Sequence, residues 1–108
     1  MKKYVDVDTL NSLMSTKKDI AITVTDVGST LALSDNTEYR LTDISSLTIS
    51  YPQGNFEIWM NISFSPTEVV NVVFPPETKY IGAEPNFDNG QIWEISIKDG
   101  VAICWRIE

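Results

Sequence analysis

The chain has 108 residues and carries 15 acidic against 8 basic side chains, a formal net charge of -7. That balance argues against a nucleic-acid phosphate surface and against docking on an anionic membrane. The absence of His removes the usual general base and the commonest metal ligand, and the single Cys cannot form an internal disulfide.

A length of this order suits one domain around one core. We divide the chain into an N-terminal arm, residues 1–19, and a β domain, residues 20–108. The start, MKKYVDVD, has two lysines and no apolar run behind them, so it does not read as a signal peptide. Leu10, Leu13 and Met14 stand at helical spacing, and Asp8 could cap one short helix over residues 9–15. This segment reads either as a turn packed on the domain edge or as an attachment arm that orders on a partner through Leu10 and Leu13.

From Ile20 the period changes to two. Ile20, Ile22 and Val24 alternate with Ala21, Thr23 and Thr25, and a turn at residues 26–29 follows. Leu31 and Leu33 face inward on a short strand, ended by Ser34-Asp35-Asn36. Tyr39 and Leu41 alternate with Glu38, Arg40 and Thr42, and Leu47, Ile49 and Tyr51 with Ser46, Thr48 and Ser50. The longest strand is residues 56–65, with Phe56, Ile58, Met60, Ile62 and Phe64 toward the core and Glu57, Trp59, Asn61, Ser63 and Ser65 away. Pro66-Thr67-Glu68 reads as a tight turn, returning the chain so that Phe64 pairs with Val70 and Ile62 with Val72. Pro75-Pro76 stops that strand. A loop over residues 83–90 drops Phe87 toward the core.

The chain closes on QIWEISIKDGVAICWRIE, two alternating runs around Asp99-Gly100. Cross-strand partners share a face. A three-residue loop, Lys98 to Gly100, sets Trp93 opposite Trp105, Ile95 opposite Ile103 and Ile97 opposite Val101, making one face wholly apolar. A two-residue loop mixes apolar and polar residues on each face. The expectation is therefore the three-residue form, with Gly100 left-handed in a bulge and Cys104 outward opposite Glu94. In all there are about eight or nine short strands with turns every ~8–12 residues, the pattern of an antiparallel β-sandwich of the jelly-roll kind. Trp93, Trp105, Tyr39, Ile58, Ile62 and Phe64 are its expected core.

No constellation for catalysis emerges. Asp43 near Ser45 and Ser46 lacks a base in line. Asp35, Asn36 and Glu38, and Asp88 with Asn89, are oxygen-rich but have no Ca²⁺-loop spacing, so turn chemistry explains them better. No cofactor or metal is implied. The candidate contact residues are Trp59, Glu57 and Asn61 on the polar face of the longest strand, because an aromatic placed there marks a contact with protein or sugar. A Trp sheltered by another layer is the alternative.

Two segments carry a resemblance. LALSDNTEYRLTDISSLTISYP, residues 31–52, resembles the opening of a β-sandwich module found in bacteriophage virion proteins, and residues 72–108 resemble its close. The shared order runs from N-T-E-Y-R and S-S-L-T-I through F-P-x-x-x-K-Y-I-G and P-x-F-x-x-G to E-I-S-I-x-D-G-V-A. The resemblance implies a non-enzymatic virion structural protein that contacts other subunits. Such modules close tail fibres, head fibres or minor structural proteins. Here the module stands behind only about 30 residues, which favours a capsid-associated, decoration or head-fibre role over a tail-fibre-type receptor- or glycan-binding one. The implied partners are further copies of the chain, a trimer among the options, other virion proteins and a host surface glycan. The implied location is the virion, after synthesis in the host bacterial cytoplasm. The rival reading is a small acidic inhibitor or immunity protein that blocks a basic surface.

Overall fold

The computed structural model describes the backbone at residues 23–24 and the whole of residues 29–108. Among the described residues nine strands follow one another: β1 Thr23–Val24, β2 Thr30–Ala32, β3 Thr37–Ile44, β4 Ser46–Ser50, β5 Glu57–Phe64, β6 Asn71–Val73, β7 Lys79–Tyr80, β8 Ile92–Lys98 and β9 Val101–Arg106. No helix occurs among the described residues. The expected helical turn over residues 9–15, with Leu10 and Leu13, lies outside them.

The chain is all-β in two sheets. Their order is β1-β3-β5-β8-β9-β7 in the large sheet and β2-β4-β6 in the small one. Odd and even strands alternate between the sheets from β1 to β6, so each sheet grows by parallel pairing. This is a solenoid-like winding. Antiparallel pairing, expected throughout, is confined to β5 with β8 and β8 with β9. The link at residues 65–70 is correspondingly no hairpin. Val72 pairs with Leu47 of β4 instead of Ile62, because the chain crosses to the other sheet after Phe64. Ser65 shapes that crossing: its backbone N–H donates to Ile44 O at 2.9 Å, and its hydroxyl accepts from the N–H groups of Thr67 and Glu68.

One core lies between the sheets. The small sheet contributes Leu31, Leu47 and Ile49, and the large one Tyr39, Leu41, Ile44, Ile58, Met60, Ile62, Phe64, Trp93, Ile95 and Ile97. The inward set of β5 is as its alternation predicts. Phe87 caps the core, 5.0 Å from both Phe64 and Trp93 by ring centroids. Tyr39 also ties the layers, accepting from Ser34 N–H at 2.8 Å through its hydroxyl.

The closing hairpin corrects the expected register. Lys98 pairs with Val101, Ile97 with Ala102, Ile95 with Cys104 and Trp93 with Arg106. The loop is thus the two residues Asp99 and Gly100, at φ 52° and 84°. Left-handed backbone at both positions is what a type I′ turn requires. Trp105 stands opposite Glu94 and is half-buried on the outer face, while Cys104 is buried in the core. The physical reason is that both faces of the large sheet bury apolar side chains. Ile103 on the outer face is 1% exposed. Small Ala102 and Cys104 then fit inward beside the bulky Ile97 and Ile95, and the premise of one apolar face fails.

Candidate functional site

On the outer face of the large sheet, residues pair in rows. One row is Glu38, Trp59, Ser96 and Ile103, and the next is Arg40, Asn61, Glu94 and Trp105. The expected contact residues Glu57, Trp59 and Asn61 do share this face, but they are engaged within the chain. Glu57 accepts from Lys98 Nζ at 3.0 Å, and Asn61 Nδ2 donates to Glu94 Oε2 at 3.2 Å. The Glu57 carboxylate holds the Lys98 ammonium above its ordinary pKa.

Trp59 is only 6% exposed, so the sheltered alternative describes its position. Its neighbours in the row, Ser96 and Ile103, are buried too. Small Ser96 stands between the two larger side chains, where a bulkier residue would crowd both.

The oxygen-rich turns perform turn chemistry. Asp35 Oδ1 accepts from Glu57 N–H at 2.9 Å, and Thr37 Oγ1 donates to the Asp35 carbonyl. Asn89 Nδ2 donates to the carbonyls of Ser65 and Glu68, fastening the loop before β8 to the crossing after β5. Among the described residues no group of three or more His, Cys, Asp and Glu side chains could hold a metal ion. No helix among them is long and apolar enough to cross a membrane.

A different place has the geometry of a binding site. The small sheet stops at β6, whereas the large sheet continues beyond β5 with β8, β9 and β7. Among the described residues no fourth small-sheet strand lies over the inner face of those added strands. Aromatic and proline side chains from residues 72–87 cover it instead, and they leave a cleft of about 310 Å³. Phe74 and Tyr80 meet edge to face in its lining at 6.3 Å, Phe87 lies 6.4 Å from Phe74, and Pro75, Pro76, Thr78 and Pro85 also line it, the surface they leave open being more polar than apolar. Glu84 stands at its rim, exposed.

Local sequence explains these positions. Pro75 and Pro76 offer no N–H, so β6 ends there. Thr78 N–H donates to Pro75 O at 3.0 Å, turning the chain into β7. The β7 backbone then docks on β9 through Lys79 N–H to Gly100 O and Ile81 N–H to Ala102 O, both 3.0 Å. Alternation sends Tyr80 inward and Lys79 outward. Tyr51 braces the wall through its hydroxyl, 2.6 Å from Thr78 Oγ1.

Burial pushes the Tyr80 hydroxyl up to about 12, with Cys104, Glu84 and Tyr51 nearby adding to the shift. Burial also raises Tyr51, against the opposing hydrogen bond from Thr78. Both phenols therefore stay neutral through the physiological range.

Sequence reasoning did not single out this cleft. Its parts appeared only as a strand stop, a short extended piece and a breaker loop. The available signal was the density of Pro and aromatic residues between Phe74 and Phe87. No protein-family model matches the chain, and searches of curated proteins and of solved structures return no match.

Proposed function

We propose that this chain is a non-enzymatic bacteriophage virion structural protein of the capsid-associated, decoration or head-fibre type. It acts by subunit contact and surface display. The observation that carries the reading is the outer edge of β6, which pairs with no strand among the described residues and is flanked by exposed apolar side chains: Val69 is 83% and Val73 45% exposed. Edge strands invite pairing with another chain unless they are protected. The resemblance of residues 31–52 and 72–108 to virion β modules supports the same reading. So does the lack of any constellation in the sequence that would run catalysis.

The finer fold assignment, a sandwich of the jelly-roll kind, belongs to this proposal. Two layers sharing one core support it, and the parallel winding of β1 to β6 departs from it. Partners are further copies in a closed oligomer such as a trimer, other virion proteins and, where the surface is displayed, a host glycan. The site of action is the virion.

Sedimentation of the chain alone and with purified particles tests this. A closed oligomer or co-sedimentation with particles is the expected result. A monomer that ignores particles and binds one basic protein would instead establish the acidic-inhibitor reading, which the net charge of -7 favours.

A further inference from the structure

We infer that the free edge of β6 and the adjoining cleft form a docking site for an extended peptide segment of a partner protein, with a basic side chain of that segment seated against Glu84. The inference deepens the contact reading and rests on it, by naming the surface and the chemistry of what it takes.

Asn71 N–H donates to Ser45 O on the β4 side at 2.8 Å. Successive residues of a strand present their backbone groups to opposite edges, so the N–H and C=O of Val72 point to the side with no strand among the described residues. An added strand would take up those groups, and its own side chains would alternate in and out of the sheet. Among the described residues the small sheet has no strand beyond β6 where the large sheet continues, so the position to be filled lies beside the cleft. The alternate inward side chain of such a strand arrives at the cleft.

The cleft states what that side chain should be. Phe74, Tyr80, Phe87 and Pro85 are among its lining residues; they suit the aliphatic stem of a Lys or Arg, and the rings favour its charged head by cation–π attraction. Glu84 supplies a carboxylate at the rim. Lys79, the one cation of this stretch, points to the other face and does not oppose a basic ligand. An acidic segment would meet the Glu84 carboxylate and a chain of net charge -7.

The test uses the full chain, isotopically labelled, with two blocked tripeptides: valine-arginine-valine and valine-glutamate-valine. Addition of the arginine peptide should move the amide resonances of Val72 and Phe74 and the ring resonances of Tyr80, with the glutamate peptide silent. In Glu84→Lys the arginine peptide should bind about tenfold more weakly, and the glutamate peptide should begin to bind. Glu84 is exposed, so the variant is expected to fold, and an unchanged spectrum away from the cleft verifies that.

Three outcomes overturn the inference. One is equal shifts with both peptides or none with either. Another is cleft shifts produced by cellotriose and not by peptide, which makes the site a glycan site. The third is β6 amide shifts produced by dilution of the chain alone, which makes the occupant a second copy. Each of these speaks of the cleft, whereas particle association is read separately by sedimentation.

Discussion

Asp99 and Phe56 exchange two hydrogen bonds: Asp99 N–H donates to Phe56 O at 3.0 Å, and Phe56 N–H donates to Asp99 Oδ1 at 2.8 Å. The closing turn is thereby locked to the residue that leads into β5. This explains why a two-residue loop is held in the left-handed region at a non-glycine position. Asp99→Ala should lose one charge-assisted bond and leave the Phe56 amide wanting, costing about 1.5–3 kcal/mol. Gly100→Val should cost a similar amount. There the added Cβ meets nothing closer than Tyr51 Cε2 at 3.9 Å, and the penalty comes from φ 84°. Urea unfolding of both variants checks this. A neutral Asp99→Ala beside a damaging Gly100→Val would restore the three-residue loop.

The two hairpin tryptophans should behave differently. Trp93 is 3% exposed, stacks edge-on with Phe87 at 5.0 Å, and donates from Nε1 to Gln91 Oε1 at 2.8 Å. Trp93→Ala should cost about 3–5 kcal/mol. Trp105 is half-buried on the other face, and its loss should cost about half of that or less. Equal losses in denaturant titrations would contradict this register.

Trp59→Ser now carries the opposite expectation from a surface contact. A Trp only 6% exposed beside buried Ser96 and Ile103 should destabilise the fold by about 3 kcal/mol or more on truncation. Thermal unfolding decides it. A variant that melts like the parent yet assembles poorly would return Trp59 to the role of a partner contact.

These corrections show where the sequence was readable. The inward residues of β5 were plain, because alternation over eight residues leaves no competing period. The outer face was not. Polar neighbours around Trp59 imply solvent only when one face is buried, and here both are. Parallel winding was hidden for another reason. A half-buried strand alternates identically in parallel and antiparallel sheets, and the short links around Pro66 resemble hairpin turns. The cleft was invisible because it exists only where residues far apart, in β6, β7 and the loop to β8, enclose the space left by a missing strand.

Alkaline pH should loosen the cleft. Tyr80 rises from 10.0 to about 12 on folding and Tyr51 shifts the same way. A folded pKa above the unfolded one means that the folded state holds the proton longer. The contribution is therefore fully present below about pH 10 and is lost as pH climbs from 10 through about 12. Tyr80 is only half-buried and solvent screens it in part, so the loss should be a fraction of what the shift implies. Absorbance titration of tyrosinate should show late-ionising phenols. Tyr80→Phe should flatten the alkaline decline in stability between those pH values, and an unchanged decline would place its source elsewhere.

In β3, Leu41 pairs with Ile62 and Ile44 with Phe64, so three steps on one strand match two on the other. Strict alternation would send Leu41 and Ile44 to opposite faces, yet both are buried in the core. An inserted residue resolves the conflict, and Asp43 at φ 57° adopts the left-handed backbone within that bulge. Aspartate tolerates this region better than most residues, but glycine enters it without a Cβ penalty. Asp43 is exposed, so no packing offsets the conformational term. Asp43→Gly should be neutral or stabilising by up to about 1 kcal/mol, and Asp43→Val should destabilise by more than about 1 kcal/mol. Denaturation midpoints of the two variants measure the difference directly. If valine were tolerated as well as glycine, β3 would have to run without the bulge, and Ile44 would turn outward.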